Sequence, residues 1–315
     1  MPSSGSDHDG LLIVAPFAPG GATDLITRIY AEALGKRLGV PVAIENEPGD
    51  GGTRGAVRVA RAKADGRTLL MGSSSTHGIC SAVFPTVPYD WAADFKPIAP
   101  LVVAPNVLVV SSASGIDSVA DLVARARAKP GTLTFGSAGF GQTIHLCGEL
   151  FRTAARVDIV HAPRVGSAVA LEELADGRLD LMFDNILSAL PYIRSGRLRA
   201  LAVTSAVRCP QLADVPTMIE AGVADYDLTV WIGVLVRSGT PQLTCERLEQ
   251  ATRDVLDEPA VRRRLEEMGA QRSAEAAAAF APFMAAEARK WARAVERTGV
   301  KGPGSNVEIE PGPFI

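Results

Sequence analysis

At 315 residues, with 47% hydrophobic and 21% charged side chains, the chain has apolar material for two packed domains of about 100–150 residues each. No apolar run approaches the ~18–20 residues of a membrane-spanning helix, and 32 basic and 35 acidic side chains are interspersed to a net charge of −3. This composition excludes a membrane-crossing chain, and the lack of a basic stripe interleaved with aromatics excludes a nucleic-acid binder.

The first ten residues are polar and show neither the basic nor the apolar region of an export signal, so the expectation is either an intracellular protein or a mature protein whose leader has been replaced. Residues 11–14 (LLIV) read as a strand, after which Leu25, Ile26, Ile29, Tyr30, Ala33, Leu34 and Leu38 recur at helical spacing. A strand at 42–45, a helix around 55–62 and a strand at 68–71 continue the alternation. A strand at 106–110 leads through a Ser-rich turn to a helix marked by Val119, Leu122, Val123 and Ala126. The same grammar then repeats: strand 132–135, helix through 150, strand 157–160, helix 167–175, strand 179–183, helix 186–194 and strand 199–203. A strand at 231–236 is followed by helices at 241–257 and 259–268. A long Ala-rich helix at 274–297 is expected to pack across the first lobe.

Strands alternating with helices predict an α/β fold of two doubly wound lobes with parallel sheets. Lobe one is expected from 11–111 plus 227–301, lobe two from 112–226, and a Gly- and Pro-rich tail from 302–315. Closure is expected to be hinge-like at the crossings near Ser111 and Tyr226.

Two glycine-rich loops, residues 15–24 (APFAPGGATD) and 136–143 (GSAGFGQT), each lie between an apolar run and a helical pattern. Glycine permits close backbone approach, and the following helix presents unpaired N–H groups and the positive end of its dipole, which suits an anion. One such loop alone reads equally well as a tight turn; two in corresponding places suggest one site built from two halves. Neither loop matches a dinucleotide or P-loop fingerprint, so no nucleotide cofactor is expected. In open α/β sheets ligands sit beyond the carboxyl ends of strands. Residues 73–76 (SSST) and 161–166 (HAPRVG) also follow strands, and all four segments are placed around one cleft.

Among single residues, His145 and Glu149 are spaced as a surface i,i+4 helix pair. His77 precedes Cys80 by three residues, the spacing of a thiol with a nearby base, but no third orienting group is visible. Cys80, Cys147, Cys209 and Cys245 are scattered, form no metal or redox pattern, and read as buried thiols. Arg164 either grips a carboxylate through two parallel hydrogen bonds or is a solvated loop residue. Asp184 either accepts bonds from a ligand amine or hydroxyl or caps the helix that starts near 186.

Seven segments carry a family resemblance: 16–24 (PFAPGGATD), 45–52 (ENEPGDGG), 65–72 (DGRTLLMG), 88–90 (PYD), 130–137 (PGTLTFGS), 198–205 (LRALAVTS) and 214–217 (DVPT). With these, the chain from Val14 to Lys301 resembles the substrate-binding proteins of tripartite tricarboxylate transporters, the Bug or TctC-like family. The resemblance implies a periplasmic-binding-protein type II-like fold and a monomeric periplasmic receptor. Such a receptor captures a small mono- or dicarboxylate between its lobes, performs no chemistry, and needs no cofactor or metal. Its implied partners are a membrane transporter's one large and one small subunit. The implied ligand residues are Phe17, Ala18, Gly20, Gly21, Ala22 and Asp24 in the first loop and Ser137, Gly139, Gln142 and Thr143 in the second. Backbone N–H groups and bridging water hold the carboxylate, and Ser74, Thr76, His161, Arg164 and Asp184 select the rest of the ligand. Two segments depart from the family pattern: 161–166 (HAPRVG) stands where H-x-P-Y-K-G is usual, and 79–81 (ICS) where an Asn-Pro pair is common. The competing expectation is a cytoplasmic enzyme on the same scaffold, acting on a carboxylic acid through His77, Cys80, His145 or Arg164.

Overall fold

β1 (Leu11–Ala15) buries both its faces toward its carboxyl end, as an uninterrupted apolar run must when parallel strands flank it on either side. The computed structural model describes residues 10–302; the polar segment 1–9 and the tail from 303 onward lie outside the described residues. After β1 come α1 (Ala22–Leu38), β2 (Val42–Asn46), α2 (Thr53–Ala60), β3 (Thr68–Ser73), a short helix α3 (Cys80–Val83) and a 17-residue strand β4 (Phe95–Ser111). The second half contains α4 (Val119–Ala128), β5 (Leu133–Ser137), α5 (Thr143–Ala154), β6 (Ile159–Pro163), α6 (Ser167–Ala175), β7 (Leu181–Asn185), α7 (Ile186–Arg194) and β8 (Leu198–Val203). The return is β9 (Thr229–Arg237), followed by α8 (Gln242–Asp257), α9 (Pro259–Glu267), β10 (Gln271–Arg272) and α10 (Phe280–Thr298).

Two sheets share β4. One has the order β2-β1-β3-β9-β4, with β10 also on β4; the other is built from β6, β5 and β7, with β8 also on β4. Within each lobe the strands joined by helices are parallel, as the alternation predicts, whereas β4, β8, β9 and β10 run antiparallel to their neighbours. The sheets are therefore mixed, because connecting strands enter from the other lobe.

β4 reaches back to Phe95, far beyond the expected start at 106. Pro97, Pro100 and Pro105 hide its first half, since proline removes a ladder donor and argues against a central strand. The strand tolerates them through register shifts against β9 between Pro97 and Ala99 and between Pro100 and Val102. Its pairing passes from β9 to β7 between Pro105, opposite Thr229, and Asn106, opposite Asn185, so the change of sheet falls within the strand.

α10 starts at Phe280, later than the expected 274, because Gln271 and Arg272 pair with Val103 and Val102 and residues 277–279 form a single 3-10 turn. Its two ends belong to different cores. Phe280 and Met284 pack with Val14, Leu70 and Trp231, while Trp291, Ala294 and Val295 pack with Leu146, Phe151, Phe183 and Tyr226. The helix straps both lobes rather than lying across the first alone. Among the described residues no helix is long and apolar enough to cross a membrane.

Candidate ligand-binding cleft

A cavity of about 440 Å³ opens beyond the carboxyl ends of β1, β3, β5 and β7, with Val230 and Ile232 of β9 also in its wall. Four helices begin at this cavity, and their N-cap residues Gly21, Gln142, Gly166 and Asn185 all line it. Asn185 caps α7 by accepting the Leu187 N–H at 3.1 Å. The other three, at α1, α5 and α6, have no side-chain cap. Contrast α4, away from the cleft, where the Ser118 hydroxyl accepts the Asp121 N–H at 3.1 Å. Uncapped first turns leave backbone donors and dipole ends for whatever occupies the cavity.

The lobes meet across the cavity on both rims. A Cβ placed on Gly166 would stand 2.9 Å from the Ala18 Cβ, and one on Gly51 would stand 3.1 Å from the Gly141 carbonyl oxygen. The Thr143 N–H also donates across the cleft to the Ser75 hydroxyl at 3.4 Å.

The two expected loops are supported differently. In the first, the buried Asp24 carboxylate accepts from the Gly20 N–H and from Arg28 Nε, both at 2.9 Å, and from Asn46 Nδ2 at 3.0 Å. Burial alone would raise its pKa, but the Arg28, Gly20 and Asn46 donors outweigh burial and hold the carboxyl below its usual range. Asp24 thus shapes the loop. In the second loop, Ser137 Oγ lies 2.6 Å from His161 Nε2, and Gly139 N–H donates to Ser137 Oγ at 3.2 Å. Gly141 N–H donates to His145 Nδ1 at 3.3 Å, and the His145 and His161 rings sit 4.1 Å apart between Phe135 and Phe140. Burial, then the neighbouring His145, pushes His161 down to about 4, so it is neutral near pH 7. His145 and Glu149 are close, at 3.7 Å, but buried rather than on the surface, because the aromatic rings cover the imidazole.

Of the residues expected at the site, the cavity brings together Phe17, Ala18, Gly21, Ala22, Gly139, Gln142, Thr143, Arg164 and Asp184. Gly20, Asp24, Ser137 and His161 stand behind that lining as supports. Ser74 and Thr76 also lie behind it: Ser74 Oγ accepts the Trp231 N–H at 3.1 Å, and Thr76 Oγ1 accepts the Ser73 N–H at 3.1 Å. Their neighbours Ser73 and Ser75 line the cavity instead. Arg164 reaches the cavity wall, but its Nε donates to Glu173 at 2.6 Å and its Nη1 to the Ala162 and Pro163 carbonyls. Both bidentate edges of the guanidinium are engaged through one of their nitrogens.

Asp184 does not cap α7; Asn185 does, one residue later. Asp184 Oδ2 accepts from the Ser167 hydroxyl and from Ser188 Oγ at 2.9 Å, Oδ1 has no partner, and burial pushes the carboxyl up to about 6. Ser73, Ser75 and Phe140 line the cavity from within segments that the sequence places around the cleft, whereas Phe84, Ser167 and Asn185 line it from outside those segments. The signal for the last two was present: Gly166-Ser167 repeats the strand, glycine, helix grammar of the two named loops, and Asn185 is a strong N-cap type at a strand end.

His77 and Cys80 are fully buried and do not line the cavity. Burial pushes the imidazole down to about 3 and the thiol up to about 12. Near neutrality neither group ionises to give an imidazolium–thiolate pair. All four cysteines are free and buried, and the described residues contain no cluster of metal-ligating side chains.

Two mixed α/β lobes joined through long shared strands, with helix N-termini from both lobes meeting at an interlobe cavity, define a two-lobed solute-binding receptor. A family model described as the tripartite tricarboxylate transporter family receptor matches residues 26–300, and the chain belongs to that family. It is 34% identical over 292 residues to Protein BugT of Bordetella pertussis, covering 92% of this chain and 89% of that one. Among solved structures, an R. palustris protein with adipate aligns at a TM-score of 0.89 and 34% identity, covering 93% of this chain and 98% of that chain. MatC from Rhodopseudomonas palustris with bound malate aligns at 0.87 and 33%, covering 91% and 98%.

Proposed function

We propose that this chain is a periplasmic, monomeric receptor that captures a small organic acid in its interlobe cavity and hands it to a membrane transporter of one large and one small subunit. It performs no chemistry of its own. The observation that carries this reading is the convergence of uncapped helix N-termini from both lobes on one cavity. Ala18, Gly21 and Ala22 on one side and Gln142 on the other hold the carboxylate through backbone donors and bridging water, while Gly139 and Thr143, whose N–H groups bond to Ser137 and Ser75, shape the second loop around it. Opening pivots where the pairing of β4 changes sheet, at 105–106, which draws the boundary of lobe one back from the expected 111 and gives 106–111 to lobe two, and where the chain returns before β9. The adipate and malate found with its structural relatives support an acid as the ligand.

A thermal-shift panel of mono- and dicarboxylates tests the reading. An acid present at 100 times its Kd adds about 2.7 kcal/mol of stability. A flat panel, with no acid raising the melting temperature, contradicts it.

A further inference from the structure

The uncompensated positive potential in the cavity comes from two helix starts. α1 and α5 point their first turns into it from opposite lobes. Elsewhere the balance is reversed. Among the described lining residues there is no lysine, and the single arginine, Arg164, is paired with Glu173. The third uncapped helix, α6, already has an acid at its start, since its first residue Ser167 donates to the buried Asp184 carboxyl. Asp184 Oδ1 is buried without a hydrogen-bond partner. Asp50, the other acid in the lining, is held by Arg54 at 3.1 Å. A second ligand carboxylate would therefore enter a space lined by two acids and, among the described lining residues, no unpaired cation, where like charge is disfavoured.

The remaining walls are apolar and partly aromatic. Phe17 comes from the β1–α1 loop of one lobe and Phe140 from the β5–α5 loop of the other, with Ile144, Val230 and Ile232 nearby in the lining. Phe84 and Phe140 meet edge to face, with ring centroids 6.2 Å apart at 63°. Such walls reward a flat or bulky hydrocarbon body, and about 440 Å³ leaves space for a ring beside a carboxylate.

We infer that this receptor takes a monocarboxylic acid with an aryl or similarly bulky apolar body and discriminates against dicarboxylates. The inference rests on the carboxylate-receptor reading and assigns the class of its ligand. The discrimination has a repulsive element, Asp184, as well as an attractive one, the phenylalanine walls.

Calorimetric titration of the full chain with hexanoate, adipate, malate and phenylacetate tests it, because hexanoate and adipate differ by one terminal carboxylate. Hexanoate and phenylacetate are expected to bind at least tenfold more tightly than adipate and malate. Adipate binding as tightly as hexanoate overturns the inference. Binding by none of the four overturns the receptor reading beneath it, an outcome distinguishable from lost selectivity. In Asp184→Asn the preference for hexanoate over adipate should narrow at least fivefold, and an unchanged ratio removes Asp184 as its source. Should that variant fail to fold, Phe17→Ala, at a partly buried position on the cavity wall, gives the second readout: phenylacetate affinity should fall about tenfold, by more than any change in the melting temperature of the free protein accounts for. No change in phenylacetate affinity contradicts the apolar-wall assignment.

Discussion

The two glycine-rich loops at the cavity are held in place by opposite supports. The first, ahead of α1, is braced by charge: Asp24 joins Gly20, Arg28 and Asn46. The second, ahead of α5, is braced by rings: His161, neutral near pH 7, and His145 stack between two phenylalanines and hold Ser137 and Gly141. A charged brace is strong when buried but breaks badly when one partner is lost, whereas a neutral imidazole brace fails when it gains a proton. The lobes should therefore respond to different perturbations.

Asp24→Ala is expected to show the largest effect. It strands the Gly20 N–H and the Asn46 amide and should cost about 2–3 kcal/mol in chemical denaturation, since hydrogen bonds to charged groups are the strong ones. A cost below 0.5 kcal/mol, roughly that of a neutral surface substitution, would show the brace to be idle.

Gly166→Ala comes next and acts on the meeting of the lobes rather than on either brace. Its backbone is extended, so alanine is unstrained, but the new Cβ would press on Ala18 across the rim. Ligand affinity should fall about tenfold, or 1.4 kcal/mol, with the melting temperature of the free protein unchanged. Equal affinity would mean that the rim contact plays no part in closure.

The pH profile separates the loops. His161 sits near 4 and His77 near 3 in the folded chain, against the usual 6.5. Below about 6.5 the unfolded chain takes up these protons first, so stability falls as pH drops toward 4. Asp184 runs the other way: its folded pKa near 6 contributes stability that is lost as pH rises from 3.8 through 6. Two imidazoles against one carboxyl leave a net loss of stability on acidification. His161→Gln should flatten that slope by up to about 1.4 kcal/mol per pH unit, and an identical slope in the variant would refute the assignment.

The smallest effect concerns salt. Arg28 is half exposed, so 1 M NaCl should weaken its pairing with Asp24 by only a few tenths of a kcal/mol. A larger loss in Asp24→Asn than in wild type would reverse the assignment of charge to the first loop.

Much of this arrangement is visible in the sequence because it is local. Glycine between an apolar run and a helical period marks both loops, and helices 167–175 and 186–194 are read to the residue. What escapes is decided at a distance. Ser73 and Ser75 face the cavity while Ser74 and Thr76 turn to the backbone, a phase that depends on how the end of β3 meets Trp231. Arg164 looks free until Glu173, nine residues on, folds back against it. His145 and Glu149 fit a surface pair at helical spacing, and rings from outside the helix, Phe135, Phe140 and His161, cover the imidazole. Proline conceals the first half of β4 because its tolerance there comes from register shifts with a strand more than a hundred residues away.

The most direct test of the central claim compares an acid with its amide. Isothermal titration of the wild-type chain with phenylacetate and with phenylacetamide holds shape constant and removes the charge that the helix N-termini are built to meet. The account predicts saturable binding of the acid and affinity for the amide lower by at least a hundredfold; equal affinity for the two would contradict it.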